Sequence, residues 1–157
     1  MRTHKSCYAA VMSDTSVAAW AALLRVHAAL VPRLDRELQA ACRLPLTWYD
    51  VLLELNSAPG RRLSMGELGA VAVVSRSRVS RVVDQLAAEG LVTRELNPDD
   101  RRSAYATITE AGRARLRAAA PVYLGGIERH FTARMAPEEA RGVAAALEKV
   151  LAALHRP

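Results

Sequence analysis

Two cysteines, one phenylalanine and two tryptophans in 157 residues leave little material for several kinds of chemistry. Cys7 and Cys42 sit in no metal-ligand spacing, and two thiols make no disulfide framework. The four histidines, His4, His27, His130 and His155, are scattered. No Ser/His/Asp set, paired-carboxylate site or phosphate-cradling glycine loop occurs at a useful spacing, so the sequence reads as that of a non-enzyme needing no cofactor and no metal. Long hydrophobic runs are lacking too. The longest, Val17 to Leu24, falls short of the ~18 residues of a membrane span, and the Cys7 to Met12 stretch is too short for a secretory core. A cytoplasmic protein with no membrane partner is expected. Lysine is nearly absent: only Lys5 and Lys149 are not arginine among the 22 basic residues.

What is present is a large apolar fraction, 51%, enough for a real core in one domain of common size. The formal charge of +6 favours a polyanionic partner. With arginine so common, position carries more meaning than number.

The informative stretch runs from Leu63 to Gly112. Ser64-Met-Gly-Glu67 is a capping box that opens a short helix ending near Ala72. Ser75 is a good N-cap for a second helix, in which Val79, Val82, Val83 and Leu86 form one apolar stripe. Arg76, Ser77, Arg78, Ser80 and Arg81 occupy the other arc and the first turns. Two helices joined by about three residues, the second basic toward its N-terminus, match the helix-turn-helix, whose second helix enters the major groove of double-stranded DNA. Arginine suits both a guanine edge and a phosphate there.

Gly90 reads as the residue that ends this helix. Leu91 to Leu96 and Ala104 to Ile108 follow as two short strands, with Val92, Leu96, Ala104, Ala106 and Ile108 able to face the core. Between them Asn97-Pro-Asp-Asp100 is a turn signal, and Arg101-Arg102 come directly after it. Such a tip beside a helix-turn-helix is a wing suited to the minor groove.

Taken together, Leu68-Gly69, Ser75-x-Ser-x-Val-Ser-Arg81, Val83-x-x-Leu86, Glu89-Gly-Leu-Val92, Arg94, Pro98-x-Asp-Arg-Arg102 and Ile108-Thr-Glu-Ala-Gly112 resemble the MarR family of bacterial winged-helix regulators. The resemblance spans nearly the whole chain. It implies a mainly α (α+β) fold: a winged helix-turn-helix lobe over 47–112 with a two-stranded wing, flanked by dimerisation helices over 15–44 and 113–157, all in one domain. It further implies that Arg102 enters the minor groove while Asp100 orients basic groups and braces the wing.

The flanks carry long helical patterns. Thr15 to Ala41 shows a wide apolar stripe from Val17 to Leu38, with Pro32 predicting a kink or break. Thr47 is placed to cap a helix to about Ser57, whose buried side is Trp48, Val51, Leu52 and Leu55. Thr109 caps a long helix to about Met135, with interruptions expected at Pro121 and Gly125-Gly126. Pro137, Glu138 and Glu139 open a last helix with Val143, Ala146, Leu147, Val150, Leu151 and Leu154 on one face. The first and last helices are too apolar for so small a lobe to cover, so a homodimer reading a near-palindromic site is expected.

Similarity to this family also implies a small-molecule effector, an aromatic acid or phenol, held between the dimer helices and the winged lobe. Trp20, His27, Trp48, Tyr49, Asp50 and Arg81 are its candidate residues. Asp50 and Arg81 match positions used by the urate-responsive branch, but that branch carries its ligand tryptophan on an added N-terminal helix, unlike Trp20. The competing roles are core packing for Trp20 and Trp48, a satisfied interface for His27, and an Asp50 ion pair with Arg81 or Arg25. Two other functions stay open: thiol sensing through Cys7 or Cys42, although the peroxide-sensing position aligns near Leu23, and a protein-interaction module without specific DNA binding.

Overall fold

The computed structural model describes residues 15–72, 76–96 and 104–154, with side chains from residue 17 and, in the second segment, from residue 78. Six helices and a small sheet follow in the order α1 (Thr15–Cys42), α2 (Leu46–Ser57), β1 (Arg62–Ser64), α3 (Met65–Val71), α4 (Arg76–Ala88), β2 (Val92–Leu96), β3 (Ala104–Ile108), α5 (Glu110–His130) and α6 (Pro137–Leu154).

Helix α1 does not break at Pro32. The ring lies on the solvent side, where the carbonyl that loses its N–H partner is open to water. At its end Arg43 takes a left-handed φ of 51°, and Arg115 Nη2 of α5 donates to the Cys42 and Arg43 carbonyls at 2.6 and 3.3 Å. The start of α2 is also supported from outside. Its N-cap is Pro45 rather than Thr47, and the Leu46 N–H donates to Asp35 Oδ1 of α1 at 2.8 Å. A carboxylate here satisfies an orphan amide and complements the helix dipole.

The two strands expected for the wing, β2 and β3, pair as an antiparallel hairpin, and an unexpected third strand completes a sheet of order β1-β3-β2. Leu63 pairs with Ala106 and Arg94 with the same residue from the other side. Three residues of strand are too few to show an alternation, which is why β1 escaped the sequence. Leu96, expected inward, is 74% exposed, whereas Val92, Ala106 and Ile108 are buried. Alternation points a side chain to one face of a strand, but β2 runs out past the core, so Leu96 has nothing to pack on.

Helix α5 runs unbroken through Pro121 and Gly125-Gly126, and ends at His130 instead of Met135. Thr109 caps it by accepting from the Gly112 N–H at 3.0 Å. Pro121 is exposed, and Gly126 lets α5 approach α1 closely: a Cβ there would stand 2.6 Å from Leu34 Cδ2. The core joins Leu34, Leu38 and Leu44 to Tyr49, Val51, Leu52 and Leu55, to Leu68 and the α4 stripe, and to Leu116 and Ala119. No residue of α6 is buried.

Counted as a whole helix instead of an uninterrupted run, α1 is by length and composition long and apolar enough to cross a membrane: an 18-residue stretch within Val17–Cys42 has a mean hydropathy of 1.3 and is 6% buried. That corrects the run-based expectation. The core helix of a soluble protein and a signal sequence meet the same criterion.

Candidate nucleic-acid interface

The capping box forms as the sequence predicts: Ser64 Oγ accepts from the Glu67 N–H at 3.2 Å, and Glu67 Oε2 accepts from the Ser64 N–H at 2.8 Å. It fixes the start of α3, which packs Leu68 into the core beside α4. In α4 the stripe Val79, Val82, Val83 and Leu86 is buried, which turns Arg78 and Arg81 outward and leaves Ser80 half-buried. Ser75, Asp100, Arg101 and Arg102, four of the nine residues expected to touch DNA, lie outside the described residues, as do the side chains of Arg76 and Ser77.

Three attachments hold α4 in place besides its core stripe. At its end the Leu91 N–H donates to the Leu86 carbonyl at 2.9 Å and the Gly90 N–H to Ala87 at 3.0 Å, a Schellman closure with Gly90 at a φ of 70°. On the wing side Arg94 Nη1 meets Asp84 Oδ1 at 2.5 Å, joining β2 to α4. Toward α2, Trp48 Nε1 donates to Gln85 Oε1 at 3.4 Å. Asp84 and Gln85 were not among the residues singled out from the sequence, because a surface acid or amide on a helix carries no signal of its distant partner.

The candidate ligand residues do not gather in one cavity. Trp20 is 59% exposed on the outer half of α1. His27 lines a groove of about 570 Å³ between α1 and α6, with Leu23, Val26, Leu30, Phe131 and Leu147 among its apolar walls. Trp48 instead borders a cleft with Arg43, Glu89 and Arg115. Tyr49 is buried, its ring centroid 4.7 Å from that of Tyr123 on α5. Asp50 makes no ion pair with Arg81 or Arg25 among the described residues, so the structural pairing weighed for it is absent. Burial, and then the charge of Glu54, push its carboxyl up to about 6. The same burial, followed by the Asp50 charge, raises Tyr49 and Tyr123. Tyr123 is the residue that sequence reasoning missed here.

The raised Asp50 value carries a sign for stability. Folding disfavours the charged form, so the penalty is absent below pH 4, grows as the pH rises through 4 to 6, and stays constant above. Asp50→Asn is expected to stabilise the fold at pH 7 by about 1 kcal/mol after discounting for partial solvent exposure, and by nothing at pH 3.5. Urea unfolding of both proteins across that range checks it; a difference that does not change with pH would contradict the assignment.

A model of the MarR family matches residues 44–103, the stretch that holds α2 to the wing. The fold superposes with a TM-score of 0.79 on Sco3205 of Streptomyces coelicolor, a MarR family transcriptional regulator solved in complex with DNA. That match has 32% identity and covers 88% of this chain and 90% of the other. The chain belongs to the MarR family. A second member, AbsC from the same organism, agrees at 32% identity and a TM-score of 0.78 over 90% and 95% of the two chains. YkoM of Bacillus subtilis, described as an uncharacterized HTH-type transcriptional regulator, is 31% identical over 88 residues; the match spans 56% of that curated relative. MarR members are transcriptional regulators and not enzymes, as expected from the lack of catalytic constellations.

Of the two thiols, Cys42 is free and half-buried against the core, and Cys7 lies outside the described residues.

Proposed function

We propose that this protein is a homodimeric, sequence-specific DNA-binding repressor that releases a near-palindromic operator when a small aromatic or phenolic effector binds. The observation that carries the DNA reading is α4, whose valine stripe is buried while Arg78 and Arg81 face outward beside a wing bonded to the same helix. The 32% identity to a relative crystallised with DNA supports it.

The dimer reading rests on exposed apolar surface. Trp20, Leu24, Val26, Val143, Leu147, Val150 and Leu154 are all exposed on α1 and α6, around the groove that His27 lines. Monomers seldom expose so contiguous a patch. A second copy placing its own α1 and α6 there would set two α4 helices one DNA turn, or a multiple, apart. In this arrangement Tyr49, Asp50 and Tyr123 stand between the paired helices and the winged lobe. An effector with differential affinity for one lobe spacing would shift the population toward it.

Fluorescence anisotropy on the DNA flanking the protein's own gene, at several salt concentrations, tests the reading. Affinity should fall steeply with salt. Arg102→Ala should weaken binding to all sites, whereas Arg78→Ala should lose about 1–3 kcal/mol and relax base preference. Equal losses in both variants on scrambled sites would show that Arg78 grips phosphate only. A panel of aromatic acids in the same assay identifies the effector class.

A further inference from the structure

Beyond His130 the chain makes a tight turn, Thr132–Arg134, that carries it back over α1 toward α6. A cleft of about 250 Å³ opens between this turn and α1, lined by Val26, Ala29, Leu30, Arg33, His130 and Arg134. Its polar groups are all basic, and its apolar wall is wholly aliphatic. Among the described residues the acid bonded to this basic group is Glu37, and both its oxygens are already taken. Oε2 accepts from Arg129 Nη2 at 2.8 Å, while Oε1 lies 2.7 Å from His130 Nε2 and 3.9 Å from Arg33 Nε. Those bonds hold the Glu37 carboxyl below the usual range, so it stays an anion without charge to spare for a further cation. Arg134 has no ion-pair partner among the described residues. Positive charge therefore exceeds negative at the mouth of a small cleft with an apolar floor.

We propose that this cleft binds a short aliphatic monocarboxylate, its carboxylate between Arg33 and Arg134 and its alkyl body on Val26, Ala29 and Leu30. Guanidinium groups bind carboxylates through paired N–H donors. The volume lies below the ~300–1,000 Å³ of pockets that take drug-sized molecules, which limits the ligand to a fragment. A phosphate would press charged oxygens onto the aliphatic floor, where they lose hydration without gaining donors.

This site shares no residue with α4 or with the Tyr49–Asp50–Tyr123 cluster, although Val26 and Leu30 also line the α1–α6 groove, and its test needs no DNA. Amide and arginine side-chain resonances of the full-length protein are followed by 1H–15N NMR during titration with isovalerate at fixed pH and ionic strength. Isovaleramide, acetate and inorganic phosphate serve as probes lacking the charge, the body and the apolar character respectively. Isovalerate should shift Arg33 and Arg134 saturably and bind about tenfold more tightly than each of the other three. Arg134→Gln, which removes no ion pair among the described residues, should weaken isovalerate about tenfold and leave resonances far from the cleft in place. Absence of a saturable shift, equal binding of isovaleramide or phosphate, or undiminished binding in Arg134→Gln would each overturn the proposal. Equal binding of acetate would show that the aliphatic wall is unused, and would overturn it as well.

Discussion

Gly112→Ala is expected to lower the unfolding free energy by about 3 kcal/mol, a larger loss than any surface substitution should cause. A Cβ at this position would stand 2.1 Å from the Leu91 carbonyl oxygen, 2.8 Å from Ile108 Cγ1 and 3.1 Å from the Leu91 carbonyl carbon. Backbone has no rotamer with which to give way. The Leu91 oxygen also accepts from the Thr109 N–H at 3.0 Å, and Thr109 Oγ1 donates to the Gly90 carbonyl at 2.8 Å. Moving it would loosen the start of α5 and the exit from α4 together. Gly66→Ala provides the contrast, because its Cβ meets only Ser64 Oγ at 3.9 Å. A gain of about 0.5–1 kcal/mol is expected there from helix propensity alone. Urea unfolding followed by far-UV circular dichroism measures both, and a Gly112→Ala protein as stable as the parent would mean that the α4–α5 junction yields far more easily than its hydrogen bonds suggest.

Leu147→Glu should convert the proposed dimer to monomer and weaken operator binding about 10²–10⁴-fold through the loss of bivalency. Leu147 lines the α1–α6 groove, on a helix without one buried residue. In a lone chain the substitution replaces a half-exposed apolar group by a solvated one and costs little. Against a second copy it buries an unpaired carboxylate, which costs about 3–5 kcal/mol. Sedimentation equilibrium and anisotropy on the same preparation separate the two cases. If the parent sediments as a monomer, or the variant dimerises and binds DNA as the parent does, the paired-helix reading fails.

Much of this fold could be read from residue order because the relevant signals are local. The Ser64 capping box, the Val79 to Leu86 stripe, the stop at Gly90 and the Thr109 cap each involve residues within one or two turns of one another, and all form. Errors arose where a distant group decides. Asp35, not Thr47, supports the start of α2. β1 exists because β3 offers it an edge. Pro32 and Pro121 are tolerated because they face water, which helical spacing alone does not reveal. At the candidate site the outward arginines of α4 followed from the stripe opposite them, whereas the Tyr49–Tyr123 contact joins residues far apart in the chain with no spacing to announce it.

The two halves of α1 lead different lives. Its inner half is clamped: Leu34 and Leu38 are buried, Asp35 holds the first amide of α2, and Arg115 closes the last carbonyls. Its outer half carries exposed Trp20, Leu23 and Leu24. From Leu34 out to Thr15 an unbroken helix reaches about 29 Å, so a tilt of about 10° at the clamp sweeps the far end through about 5 Å. A lever of that length turns a small adjustment at the clamp into a displacement comparable to the rise of a whole helical turn, delivered to the exposed apolar end.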